Sequence, residues 1–310
     1  MIFEDIKNIE NSSINERIEM FGTKQKLRAA KNRCRSNMML NPLNLKHLNR
    51  IDNLEADCIT LNLEDAIAPS RKQEALINIA LFLSHMDSSK SFIIVRTNPM
   101  EQGGLEEIEY LNDFAFDAIR LSKVKTPQDI KSALGVLSSD KELHISLETK
   151  EAFLNIASLK IDDRFTTANL GILDLLSSLG LPQSLLKIGN ATIDHILTKF
   201  LLECKMSDLQ AVSFMYQDYK DVDGFKRWCE YEKSLGFSSK ACMGPQQVKI
   251  ANSVFDIEKY DIERASYIKE IFEQNSANGI NGFMDDRYGF IDEPIYKDAL
   301  LLLNNIKEDK

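Results

Sequence analysis

The chain is sparing with the residues that mark the commoner metal and catalytic sites. Its 310 residues include four histidines, His47, His85, His144 and His195, and no two stand four positions apart, so a zinc site built on one helical turn is disfavoured. The five cysteines, Cys34, Cys58, Cys204, Cys229 and Cys242, are odd in number, widely spaced and without a CxxC pair. That pattern argues against a zinc cluster or a disulfide framework and for reduced thiols in a cytoplasm. A GxSxG elbow is missing, which disfavours a serine hydrolase. Missing too are a GxGxxG turn and a GxxxxGK[ST] phosphate loop. No run reaches the roughly 18 uninterrupted apolar residues of a membrane span, and the opening MIFEDIKNIENSS has no apolar core of a secretory signal. Positive charge is also in deficit: 38 Lys and Arg against 47 Asp and Glu leave a net charge of -9. Nucleic acid and anionic membranes would be repelled by that field, whereas an acidic metabolite remains open if a local patch or a bound cation collects it.

What is present is regular. With 44% hydrophobic residues the chain can bury a large core. Short apolar, β-branched runs occur at 36–40, 58–63, 92–96, 118–123, 143–148, 165–170, 209–214 and 237–243, with amphipathic stretches between them. Alternation of this kind is the form of successive βα units. Eight of them predict an α/β fold closed as a (β/α)8 barrel, with an open doubly wound sheet as the runner-up. The expected organisation is an N-terminal arm over 1–33, a barrel over 34–256 and a helical extension over 257–310. The arm ends in a basic cluster, Lys24, Lys26, Arg28, Lys31 and Arg33, and reads as a solvated segment or a short helix packed outside the main fold. Within the extension, NGINGFMDDRYGFIDE reads as an exposed turn or hairpin.

Several strand ends carry polar residues that burial does not explain. The second run ends at Glu64 and Asp65, the third at Arg96, the fourth at Lys123 and the fifth at Glu148; the sixth leads to Asp174. In a barrel these ends converge on one rim. Two carboxylates there make a hard-oxygen site of the kind Mg²⁺ takes, and an Arg beside them can stabilise an oxyanion. Taken singly, each acid could equally cap the following helix, Arg96 could pair with a neighbouring helix, and Lys123 could extend to solvent.

Arg35-Ser36, LNLEDAIAP, VRTNP, LSKVK, SLET, LGILD and CMGPQQV follow one another in an order that resembles the citrate lyase β-subunit-like family of the HpcH/HpaI aldolase superfamily. The resemblance covers about 33–306. It implies a TIM barrel whose Glu148 and Asp174 hold Mg²⁺, with Mn²⁺ as an alternative. Arg96 would contact the substrate oxygen, and Glu64 with Asp65 would organise this Arg and the waters around the metal. Arg35 and Lys123 would contact a coenzyme A thioester. Asp292, in FIDEP, would enter a neighbouring subunit's pocket as the acid/base of a homo-oligomer, a trimer or hexamer. The implied activity is a carbon–carbon lyase that cleaves or forms a malyl-, citramalyl- or citryl-type thioester from a 2-oxo acid and an acyl-CoA. A class II aldolase acting on a free 2-oxo acid without coenzyme A, and a degenerate barrel without activity, are the alternatives. The chain departs from the family pattern at Asn62, Leu173, Ser122, Gly244 and Asn41-Pro42.

Overall fold

The eight apolar runs become eight parallel strands: β1 (Ser36–Leu40), β2 (Cys58–Asn62), β3 (Phe92–Arg96), β4 (Ala118–Leu121), β5 (Glu142–Leu147), β6 (Phe165–Leu170), β7 (Gln210–Val212) and β8 (Lys240–Cys242). The computed structural model describes residues 1–23 and 33–307; Lys24, Lys26, Arg28 and Lys31 of the basic cluster lie outside the described residues. The strands pair in the order β7-β6-β5-β4-β3-β2-β1-β8. Ser213, just past β7, closes the ring against β8: its N–H donates to Ser239 O at 2.9 Å and its carbonyl accepts from Ala241 N at 3.0 Å. The closed barrel expected from the spacing is the fold that forms. β7 and β8 are shorter than their apolar runs because that closure is a single bridge.

Side chains on alternate positions point to opposite faces of a strand, and here the two faces differ. Outward positions are aliphatic and pack under the helices in one continuous core. Much of the interior is polar and hydrogen-bonded to itself: Thr60 Oγ1 donates to Asn37 Oδ1 at 2.7 Å, and Asn37 Nδ2 donates to Asn169 Oδ1 at 3.2 Å, linking β2, β1 and β6. A small apolar cluster of Cys34, Cys58, Phe92, Ile94 and Ala118 lies towards the N-terminal ends of the strands. Cys34 and Cys58 meet there, with Cα atoms 5.8 Å apart. The sequence separation of 24 hides the proximity; one cysteine precedes β1, the other opens the adjacent β2, and parallel pairing brings them together.

The N-terminal residues are packed rather than solvated. The helix Lys72–Ser84 is buried at every position from Ala75 to Ser84, so its outer side needs a cover as well as its inner one. Helices Ile6–Asn11 and Ile14–Glu19 supply it. Arg17 is buried there and donates to Ile9 O at 3.1 Å and to Asn78 Oδ1 at 2.8 Å, while the Phe3 ring meets Phe82 edge-on at 5.1 Å.

The residues from Asp256 onward form a second compact unit. It consists of the helix Lys259–Ser276, a hairpin of β9 (Gly282–Asp285) and β10 (Gly289–Asp292), and the helix Glu293–Lys307. Asp285 Oδ1 accepts the N–H groups of Arg287 and Tyr288, and Gly289 takes the left-handed conformation that lets the turn close, at φ +76°. Ala265, Ile268, Phe272, Ile291 and Ala299 make its core. Among the described residues, no helix is long and apolar enough to cross a membrane.

Candidate active site

Arg96 is the last residue of β3, and its guanidinium organises the carboxyl-terminal mouth of the barrel. Nε donates to Ser122 Oγ at 2.9 Å; Nη2 lies 2.9 Å from Glu64 Oε2 and 3.2 Å from Glu148 Oε2. Ser122 in turn donates to Thr97 O at 2.8 Å, so its hydroxyl is fixed and its lone pair is aimed at Arg96. Arg96, Glu64 and Glu148 are all more than nine-tenths buried. Burial pushes the Glu64 carboxyl up to about 7, against the opposing pull of the Arg96 charge.

The chain leaves β4 through Lys123, a non-glycine residue in the left-handed region at φ +54°. Such a conformation costs about 1–2 kcal/mol, and it sets both the backbone N–H and the ammonium of Lys123 against carboxylates. Lys123 N donates to Glu148 Oε1 at 2.7 Å, and Lys123 Nζ lies 3.0 Å from Asp174 Oδ1, 3.5 Å from Asp65 Oδ2 and 3.8 Å from Glu64 Oε1. Burial lowers this ammonium's affinity for its proton, but Glu148, Asp174 and Glu64 together outweigh it and raise Lys123 above its ordinary value. Behind Glu64, the ammonium of Lys72 donates to Leu63 O at 2.6 Å, Glu64 O at 3.0 Å and Asn98 Oδ1 at 2.7 Å, which clamps the loop after β2 to the loop after β3.

Asp174 stands in the first turn of the helix Ile172–Ser178, which begins directly behind Gly171 at the end of β6. A Cβ on Gly171 would come within 2.7 Å of Glu148 Cβ and 2.9 Å of Glu148 Oε2. Glycine is therefore what allows this turn to pass so close to Glu148. Glu148 and Asp174 are oxygen donors, and one ammonium already stands at the second of them. Among the described residues no group of three or more His, Cys, Asp or Glu is assembled for a metal. The donor set suits a hard divalent cation that keeps most of its ligands as water and substrate oxygens, as Mg²⁺ does, and does not suit zinc.

The structure thus brings Glu64, Asp65, Arg96, Lys123, Glu148 and Asp174 together at one mouth. Arg35 is not among them: it precedes β1, at the opposite end of the barrel, where its guanidinium forks onto Asp57 at 2.8 and 3.0 Å. A residue just before a strand of a parallel barrel cannot share a rim with residues just after the strands. Asp292 ends β10 in the second unit, and its side chain accepts Ile295 N at 3.3 Å. At Gly244 the absent side chain leaves room for the ring of Tyr219, 3.0 Å from where a Cβ would stand.

Three contributions were not legible from the strand ends. Ser122 looked like a departure and is the anchor of Arg96. Lys72 gave no signal within its helical pattern. Arg120 did give one, as the single charge inside the run AIRL: it is buried, its Nε donates to Ser146 Oγ at 2.8 Å, and it lines a cavity with Arg96, Glu148, Asn169 and Asp174. Burial and then the Arg96 charge draw Arg120 down to about 9, still cationic at neutral pH.

Residues 35–245 match the model of the HpcH/HpaI aldolase/citrate lyase family. A (3S)-malyl-CoA thioesterase of Cereibacter sphaeroides is 31% identical over 75% of this chain and 80% of its own length. The mitochondrial citramalyl-CoA lyase of Mus musculus is 27% identical over 85% and 84%. Among solved structures, CitE from Mycobacterium tuberculosis, in complex with magnesium, acetoacetate and coenzyme A, superposes with a TM-score of 0.68 at 18% identity, covering 91% of this chain and all of that one.

Proposed function

The chain belongs to the HpcH/HpaI aldolase/citrate lyase family, and from that membership we propose that it is a Mg²⁺-dependent carbon–carbon lyase of β-hydroxy acyl-CoA thioesters of the malyl, citramalyl or citryl type. The observation that carries this reading is the single mouth at which Glu148 accepts the backbone N–H of Lys123, Asp174 meets the same residue's ammonium, and Arg96 is held between Glu64, Glu148 and Ser122. The names of the relatives, a malyl-CoA thioesterase and a citramalyl-CoA lyase, support the thioester class. Magnesium and coenzyme A in the complex of the Mycobacterium tuberculosis protein support the two cofactors.

Glu148 and Asp174 would hold the Mg²⁺, which when bound supplies Lewis acidity towards the oxygens of a 2-hydroxy or 2-oxo acid. In cleavage, a base takes the proton of the substrate hydroxyl, the carbon–carbon bond breaks, and the electron pair passes to the thioester enolate. Arg96 would stabilise that oxyanion; being held by Ser122 and two carboxylates, it would reorganise little as charge appears. Proton return to the enolate carbon completes an acyl-CoA. Asp292 is the proposed acid/base, delivered from a neighbouring subunit of a homo-oligomer. Met284 and Phe290, on the hairpin that ends in Asp292, are 75% and 58% exposed, which favours a covering neighbour.

Glu148→Gln and Asp174→Asn should each abolish Mg²⁺-dependent release of 2-oxo acid from such thioesters and leave the melting temperature within a few degrees. Full turnover by either variant after chelation of the metal would refute the scheme. The name of the Cereibacter sphaeroides relative favours a second reading, hydrolysis of the same thioester. Products separate the two: an acyl-CoA with a 2-oxo acid for the lyase, free coenzyme A with an intact hydroxy acid for the thioesterase.

A further inference from the structure

Arg120 is the penultimate residue of β4 and the register partner of Arg96, so two guanidiniums on adjacent strands enter the barrel side by side. Their situations differ. Arg96 is ion-paired to Glu64 and Glu148, whereas Arg120 is 6% exposed, makes one side-chain hydrogen bond, to Ser146, and pairs with no carboxylate of the described residues. Four of its five N–H donors are thus left for something else. Glu148 and Glu64 offset part of its charge from a distance, but neither bonds it, and on a wall of the substrate cavity the remaining donors are open to a ligand anion.

The position also has a scale. Ser146, which fixes Arg120, is on β5, two residues before Glu148, which directly follows that strand. Two residues along a strand are about 6–7 Å, the span of a four-carbon diacid. A 2-oxo acid held by its 1-carboxylate and keto oxygen beside Glu148 and Asp174 would have its far end directed at the Arg120 level. With a single terminal methyl or hydrogen there, the guanidinium stays buried and unpaired; with a second carboxylate it gains a charge-assisted, two-pronged partner.

Resting on the lyase reading, we propose that Arg120 is a specificity-determining residue that binds the second carboxylate of a dicarboxylic 2-oxo acid, so that the thioester cleaved is of the citryl type, with one carboxylate more than a malyl or citramalyl thioester. Discrimination of this kind is asymmetric, because a site that is built to hydrogen-bond a group rejects the analogue lacking it.

Oxaloacetate and pyruvate differ by one carboxylate and serve as a matched pair of probes. Each is titrated calorimetrically, freshly dissolved, into the full-length Mg²⁺-loaded protein and into Arg120→Met and Arg120→Lys. The wild type should bind oxaloacetate at least about tenfold more tightly than pyruvate. Arg120→Met should erase that preference while leaving pyruvate affinity within about twofold, and Arg120→Lys should retain part of it. Since pyruvate reports on the same pocket in the same variant, a folding defect would weaken both acids and is told apart from loss of the subsite. Two equal affinities in the wild type, or an unchanged preference in Arg120→Met, would overturn the role of Arg120 and leave the lyase reading standing. Binding of neither acid by the wild type would overturn both.

Discussion

At the scale of single residues, close approach and anchoring matter more at this site than charge alone. Gly171 owes its place to space: any Cβ would collide with Glu148, whose own neighbours, Arg96 and the backbone of Lys123, leave it nowhere to retreat. Gly171→Ala should therefore displace the Glu148 carboxylate and weaken Mg²⁺ by about 10–100-fold, the range expected when support of a metal ligand is lost. Calorimetric titration of Mg²⁺ checks this, with thermal melting as the control for folding; unchanged Mg²⁺ affinity would remove Glu148 from the ligand set. The glycine stands in plain view in LGILD, but a sequence gives no distance from Gly171 to a glutamate 23 positions earlier. Ser122 was similarly visible as a letter and invisible as a hydrogen-bond acceptor for Arg96.

At the scale of elements, β8 and the helix Val222–Leu235 are joined through a buried ion pair. Lys240 and Glu232 are both fully buried; Lys240 Nζ lies 2.7 Å and 2.9 Å from the two Glu232 oxygens, donates to Phe214 O at 3.0 Å, and sits 3.9 Å from the centre of the Phe214 ring. The Lys240 main chain is also the bridge partner of Ser213, so the pair braces the seam at which the barrel closes. Lys240→Met leaves a buried carboxylate without its cation and should cost about 3–5 kcal/mol in urea unfolding. The double variant Lys240→Met with Glu232→Leu should recover much of that loss, because no charge is then left unpaired. A double variant no more stable than the single one would show that the seam requires the ions themselves. Element boundaries over β1, β3 and β6 follow directly from their apolar runs. Those of β7 and β8 do not, since the seam ends the pairing before the hydrophobic pattern ends.

At the scale of the whole molecule, the proposed chemistry draws on residues from both compact units. If Asp292 serves a neighbouring subunit, Asp292→Asn and Glu148→Gln chains should each be inactive alone and should complement when mixed into one oligomer. Random mixing would place an intact Glu148 opposite an intact Asp292 in roughly a quarter of the sites. Lyase assays after co-refolding the two variants check this; no recovery would place the acid/base elsewhere. Exposed Met284 and Phe290 on the hairpin give such an oligomer an apolar contact to bury.

The sequence by itself determined the barrel and the roster at its mouth, because both depend on local order: apolar runs of strand length at βα spacing, each ending in a polar residue that a parallel barrel must carry to the same rim. The tertiary structure decided which members of that roster meet. Arg35 and Arg96 are both arginines at strand ends, yet one forks onto Asp57 beneath the barrel and the other is fixed between Glu64 and Glu148 above it. Cys34 and Cys58 meet across β1 and β2, and Arg120, held by Ser146, meets no carboxylate among the described residues, for the same reason. Pairing, burial and the direction of a side chain are properties of neighbouring strands, and no single stretch of sequence contains them.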